Sequence, residues 1–258
     1  MKIFLDSGVY IGAAIKGDLF HFPSKNVLDF LKKGSGHQVC YTQKVVNEFE
    51  RKLKKIANFV RNIARNLYFF LKKKLPTKYL SPTDWPLVDK FFAIELSKQR
   101  KLEKKNVTTA FEYARRVRTL ETEFMNFLAK KMDDQGSNDV SLTHIWDFAR
   151  GIAKRSIKLV DSLELDILPS IRANKISGGR VSPEVFSKLR KIVYNMDDVI
   201  ILGNFVDHLT FSKEIGLFVT NDIGDIVSER EKLEKTFSSL YITRPAFFRA
   251  RLEAMANI

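Results

Sequence analysis

Between Thr42 and Pro76 the apolar residues Val46, Phe49, Leu53, Ile56, Val60, Ile63, Leu67 and Phe70 follow one another at alternating steps of three and four. A strand alternates its side chains with period two and cannot gather these residues on one face. An α-helix lines them into a single seam of the coiled-coil type. The spacing therefore predicts one long helix, with Thr42 as its N-cap, Lys72, Lys73 and Lys74 suited to the negative end of its dipole, and Pro76 as its stop. Such a seam needs a partner. Asp84 and Pro86 signal a new start, and Val107, Ala110, Ala114, Val117, Leu120, Phe124 and Phe127 supply a facing stripe, so an antiparallel helical hairpin is expected. Pairing of the seam between chains would instead give a homodimer. The segment SKQRKLEKKN, residues 97–106, has Leu102 as its one apolar residue and reads either as the exposed face of a continuous helix or as a basic break in it. Further helices are expected over about 139–168 and from Pro183, capped by Ser182, to about 194, with Gly178 and Gly179 marking a turn between them.

The flanks have a different texture. KIFLDS reads as a strand, VLDFLKKG as a helix closed by Gly34, and HQVCYT as a second strand. After the helical stretch come DDVIILGNFVDHL as a helix, IGLFVTND and LYITRP as strands, and PAFFRARLEAM as a helix with Pro245 at its first position. Strands alternating with helices predict the α/β class, with a mainly parallel sheet covered on both faces. Residues 1–50 and 195–258 would together form that α/β domain, and 51–194 would be a mostly α-helical insertion into it.

Charge separates the same regions. Residues 51–132 hold 21 of the 44 Lys and Arg but 7 of the 30 Asp and Glu, which leaves 23 of each sign in the remainder; one contiguous third carries the whole excess of +14. A block of this kind suits a polyanion, because each Lys or Arg that neutralises a phosphate releases a condensed counterion. The plainer reading is a solvated helix face. On the polyanion reading, Lys54, Lys55, Arg61, Arg65, Lys72, Lys73, Lys74, Lys101, Lys104, Lys105, Arg115 and Arg116 are the expected nucleic-acid contacts. Tyr68, Phe69, Tyr79, Trp85, Phe92 and Tyr113 interleave with them, most as packing residues and a minority as surfaces on which unpaired bases stack.

Other chemistries are poorly served. The lone cysteine, Cys40, allows no intramolecular disulfide or cysteine-based zinc site, and His21, His37, His144 and His208 lack zinc-like spacing. No Gly-rich phosphate loop is present. A phosphatase-type nucleophilic aspartate at Asp6 would need a second Asp where the chain has Gly8. The N-terminal apolar run is broken by Asp6, too early for a signal peptide, and no run of about 18 apolar residues suggests a membrane span. A cytoplasmic protein is expected.

What remains is a pattern of acids. Asp6 closes KIFL, Asp222 closes LFVT with Asp225 close behind, Glu48 falls in the second turn of the helix after HQVCY, and Asp197 and Asp198 open an apolar helix. Ligands of an open parallel sheet gather outside the carboxyl ends of its strands. If these segments share a sheet, four or five carboxylates converge there, and their repulsion is relieved by a hard cation such as Mg²⁺ or Mn²⁺. Two such ions about 4 Å apart can activate a water and stabilise the leaving oxygen of a phosphodiester. An acidic metal cup beside a basic arm describes a nuclease.

At LDSGVYIGA, VVNEFERKL, DDVIILGNFV, LFVTND and ITRPAFFRARL the chain resembles the PIN domains, over about 115 residues. The resemblance implies a three-layer α/β fold with a central parallel sheet, and ribonuclease activity dependent on one or two Mg²⁺ or Mn²⁺ ions. The ligands it implies are Asp6, Glu48, Asp198 and Asp222, with Asp197 and Asp225 as further candidates. Ser7 and Thr220 would support them as hydroxyls and Asn221 as an amide. The departure from the family pattern is the insertion, since 149 residues lie between Glu48 and Asp198. The helix bearing Glu48 continues into it, and the expected role is to guide RNA, or single-stranded DNA, across the metal cup. Three other readings stand beside this one: a catalytically idle RNA-binding or scaffold protein, a flap-type DNA nuclease with a helical arch, and a toxin held by a protein inhibitor.

Overall fold

In chain order the strands are β1 (Lys2–Leu5), β2 (Gln38–Tyr41), β3 (Tyr79–Leu80), β4 (Val140–Ser141), β5 (Asn174–Lys175), β6 (Gly216–Val219) and β7 (Leu240–Thr243). The helices are α1 (Ser7–Ala14), α2 (His21–Lys32), α3 (Gln43–Lys74), α4 (Trp85–Glu103), α5 (Val107–Gln135), α6 (Leu142–Ser162), α7 (Leu168–Ser170), α8 (Pro183–Arg190), α9 (Met196–Ser212), α10 (Arg230–Thr236) and α11 (Phe248–Met255). The computed structural model describes all residues except 16, 17, 35, 104–106, 257 and 258, and the side chains of 100–112 and 156 also fall outside the description. Two compact units result: Met1–Lys52 with Val160–Ile258, and Leu53–Leu159.

The first unit is built on a parallel sheet of order β5-β2-β1-β6-β7. β1 and β6 are buried along their whole length, as strands covered on both faces must be, and both are continuous apolar runs apart from Lys2 and Gly216. Phe4 of β1 stacks on Phe218 of β6, with ring centroids 5.4 Å apart, and lies 5.1 Å from Phe205 of α9. The chain runs from β1 to β2 on one side and returns through β6 on the other. The boundary between β1 and β6 is thus the switch point at which open α/β sheets form their crevice. α2 ends as expected, with Gly34 at a φ of +82° that other residues avoid.

Residues 160–194, expected in the insertion, belong to this unit instead. They supply β5, whose Asn174 and Lys175 pair with Cys40 and Tyr41, and α8, which packs on α9. That packing depends on Gly203 of α9, where a Cβ would stand 2.6 Å from Val181 Cγ1. Two residues were too few for a strand to be read from sequence. Neither expected N-cap acts through its side chain: the Thr42 hydroxyl is buried without a hydrogen-bond partner, and Ser182 donates both its backbone N–H and its Oγ–H to Asp207, at 2.7 Å each.

The second unit has its own core. Ile63, Leu67 and Leu71 of α3 join Phe92 of α4, Val117, Phe124 and Leu128 of α5, and Ile145 and Phe148 of α6 in one apolar cluster. α4 and α5 pack closely along their lengths, and the antiparallel ribbon β3–β4 ties the segment after α3 to the start of α6. The expected single hairpin is therefore a four-helix body. The seam of α3 serves two cores: Val46 and Phe49 are buried in the sheet unit, and Ile63 and Leu67 in the helical one. The segment 97–103 continues α4, and 104–106 lie outside the described residues. No described helix is long and apolar enough to cross a membrane.

Candidate functional site

The site grows from β1 and β6, which run side by side with Leu5 opposite Val219. The residues that follow them, Asp6 and Thr220, emerge together at the carboxyl edge. Asp6 caps α1, its Oδ1 accepting the Ser7 N–H at 2.7 Å. Its Oδ2 accepts the Thr220 Oγ1–H at 2.9 Å, and Thr220 Oγ1 in turn accepts the Asp222 N–H at 2.9 Å. One buried hydroxyl thus ties the Asp6 carboxylate to the backbone of Asp222, beyond the ends of neighbouring strands. Asp222 Oδ1 accepts the Asp225 N–H at 2.9 Å and caps the helical turn Ile223–Val227. Glu48 comes from the second turn of α3 and Asp198 from the first turn of α9.

Asp6, Glu48 and Asp198 are all less than 8 % exposed. Burial, and then the charges of Asp6, Asp222 and Glu48, push the Asp198 carboxyl up to about 8, against the opposing pull of Lys52. Asp6 is raised as well, by burial above all, with Lys52 lowering it and Glu48 raising it. These couplings mean that the four acids share one electrostatic field. Two of their oxygens, Glu48 Oε2 and Asp198 Oδ2, are buried without a hydrogen-bond partner. A buried carboxyl oxygen left without a partner is costly.

The acids do not close into a finished cage. Among the described residues no three His, Cys, Asp or Glu side chains stand together as a group that could hold a metal ion. The acids are coupled electrostatically, and among the described residues they form no preformed coordination group. A cation of the protein itself reaches the acids: Lys52 Nζ lies 2.7 Å from Glu48 Oε1. Burial alone would lower the Lys52 ammonium, but the charges of Glu48, Asp6 and Asp198 overrule it and raise it. Sequence reasoning passed over Lys52. Its signal was the helical spacing of four from Glu48.

The two further acids are engaged elsewhere. Asp197 binds Lys44 at 2.8 Å and Arg51 at 3.3 Å, and the bond from Lys44 holds its carboxyl low. Asp225 accepts the backbone N–H groups of Tyr194 at 3.0 Å and Asn195 at 2.7 Å, which brace the turn before α9. Both lack the buried, unbonded oxygen that Glu48 and Asp198 carry. Asn221 Nδ2 donates to Gly8 O at 2.9 Å and Ser24 Oγ at 3.1 Å, holding α1 and α2 to the end of β6. The Ser7 hydroxyl is buried beside Asp6 without a hydrogen-bond partner.

Of the expected nucleic-acid contacts, Lys54, Lys55, Arg61, Arg65, Lys72, Lys73 and Lys74 are exposed on α3, and Arg115 is partly exposed on α5. Arg116 is only 4 % exposed and is withdrawn from the surface, because it lies beside core residue Val117 on the inward face of α5. The Lys101 side chain and all of Lys104 and Lys105 lie outside the described residues. Among the aromatics, Phe92 is core, Tyr113 packs on Phe59 and Tyr68 on Trp146, while Phe69, Tyr79 and Trp85 remain exposed. The Arg65 guanidinium lies 5.8 Å from the Phe69 ring centre.

Comparison of the chain with protein-family models, with curated proteins and with solved structures returns no match. The reading of the site therefore rests on its own chemistry.

Proposed function

We propose that this chain is a metal-dependent endoribonuclease, with a PIN-like α/β domain whose Asp6, Glu48, Asp198 and Asp222 hold one or two Mg²⁺ or Mn²⁺ ions. The observation that carries the reading is the pair of buried, partnerless oxygens on Glu48 and Asp198, within a field shared by four acids at the switch point of a parallel sheet. Bound there, a divalent ion would supply a water nucleophile for in-line attack on a phosphodiester and stabilise the leaving oxygen. The protein's own groups prepare the site. Thr220 holds the Asp6 carboxylate and the backbone N–H of Asp222 through a single hydroxyl. Lys52 tempers the repulsion among the acids and presents an ammonium to an approaching phosphate. The exposed lysines and arginines of α3 would draw RNA to the protein through counterion release.

A second reading is an RNA-binding protein whose acids are idle. Cleavage separates the two. With Mn²⁺ present, the wild type should cut labelled single-stranded RNA, more slowly cut single-stranded DNA and flap substrates, and stop when the metal is chelated. Asp6→Asn and Asp222→Asn should each slow cleavage by at least about 100-fold, more than the loss typical of a residue that only orients a metal ligand. Unchanged rates in both variants would refute the site assignment.

A further inference from the structure

Outside the acid site, one cleft of the sheet unit is lined by four lysines. Lys188 and Lys191, at the C-terminal end of α8, face Lys232 and Lys235 of α10 across a space of about 350 Å³ completed by Ile192 and Thr236. No carboxylate lines it. Lys188 is bound by Glu184 at 2.7 Å and Lys232 by Glu229 at 2.6 Å, both short-range pairs on helix surfaces that cost little to exchange. Lys191 and Lys235 have no acidic partner among the described residues. The C-terminal ends of two short helices contribute a partial negative charge of about one half each, which would explain one lysine apiece but not four lysines around one space, whose walls are mostly formed by their aliphatic stems. A cleft lined by a single sign of charge concentrates counter-ions of the opposite sign.

The cleft is joined to the acid site by two chain segments. Residues 191–195 lead from it to α9, which carries Asp198, and residues 223–229 lead from Asp222 to α10. Asp225 clamps these segments together by accepting the N–H groups of Tyr194 and Asn195. Asn195 then caps α9 through the Asp197 N–H, at 3.0 Å. At this junction the Tyr194 ring is 89 % exposed, an unusual position for so large an aromatic side chain. Its backbone is held by Asp225 and by Arg190 Nη1, which donates to the Tyr194 carbonyl at 2.7 Å. A bare aromatic ring on an anchored backbone, three residues along the chain from Lys191 of a lysine-lined cleft, offers the two elements that single-stranded nucleic acid uses, a stacking face and a phosphate track.

We infer that the Lys188–Lys191–Lys232–Lys235 cleft binds backbone phosphates of a single-stranded RNA, with a base of the same strand stacked on Tyr194. The inference rests on the nuclease reading only for its direction, namely that this strand continues to the acid site. It also gives Asp225 a role: it sets the separation between the phosphate track and the metal ligands.

The test is RNA affinity by fluorescence anisotropy without divalent ions, across a salt series. The double variant Lys191→Gln/Lys235→Gln should reduce the slope of log affinity against log salt by about 1.4, and weaken binding roughly 25-fold at 0.1 M salt, irrespective of RNA sequence. The charge-preserving Lys191→Arg/Lys235→Arg should keep the wild-type slope. Tyr194→Ala should weaken binding at every salt concentration without changing the slope. A double variant with wild-type affinity and slope overturns the inference, as does an equal loss from neutralising the exposed Lys25 and Lys32 of α2, which would mark a bulk charge effect. So does loss of inorganic phosphate binding in the double variant with RNA binding intact, which would make the cleft a small-anion site. The nuclease reading fails separately, through unaltered cleavage by Asp6→Asn, whatever the salt slopes show.

Discussion

The two units of this protein bury different things. In Leu53–Leu159 the core is apolar, and among the described residues only Glu95, Gln99 and Arg116 are polar and buried. In the sheet unit Asp6, Ser7, Thr42, Glu48, Asp198 and Thr220 are buried together around the carboxyl ends of β1, β2 and β6. Burial of polar groups is costly unless they are bonded, and several here are not. Gln99 Oε1 is likewise buried without a hydrogen-bond partner in the helical unit, but the sheet unit gathers more such groups, on Ser7, Thr42, Glu48 and Asp198, at one edge.

The largest effect should come from the apolar side. Phe124→Ala removes a fully buried ring from the helical core and should cost about 3–5 kcal/mol. Hydrogen exchange should then quicken in the later turns of α3 and through α4 to α6 while β1 and β6 keep their protection. Equal acceleration in both units would show that they unfold as one body and that the contrast has no thermodynamic meaning.

On the polar side, neutralisation should relieve the fold. Because Asp198 is raised from 3.8 to about 8, the folded chain retains a proton that the unfolded chain has released across that interval. Its contribution to stability is therefore full below about 3.8 and is lost as the pH rises towards 8. Asp198→Asn cannot ionise, so its melting temperature should fall less than the wild type's between pH 4 and 8. Parallel curves for the two proteins would remove Asp198 from the coupled cluster.

Thr220→Val should have a smaller effect, about 10- to 100-fold on cleavage. It deletes the hydroxyl that Asp6 and Asp222 share. The loss should appear as a raised Mn²⁺ requirement; a loss independent of Mn²⁺ concentration would make Thr220 a packing residue.

Much of this arrangement was written in local pattern. The alternating steps from Val46 to Phe70 foretold α3 nearly to the residue, and the acids at the ends of KIFL and LFVT and at the starts of two helices were visible as candidates. Periodicity reports which residues are buried but not by what, so the seam of α3 was assigned one partner although it serves two cores. Asp197 and Asp198 are adjacent, and only the helix orientation turns the first to Lys44 and Arg51 and the second inwards. The lysine cleft was hidden for another reason. Its residues lie in a part of the chain whose charges sum to zero, and a sum over sequence does not register cations that meet in space.

Binding of Mn²⁺ followed by electron paramagnetic resonance tests the central claim most directly. The wild type should show saturable binding of one or two ions at neutral pH, with Asp198→Asn and Asp6→Asn each weakening it by at least about tenfold. Equal binding by all three proteins, or none by the wild type, would contradict the assignment of these acids to a metal centre.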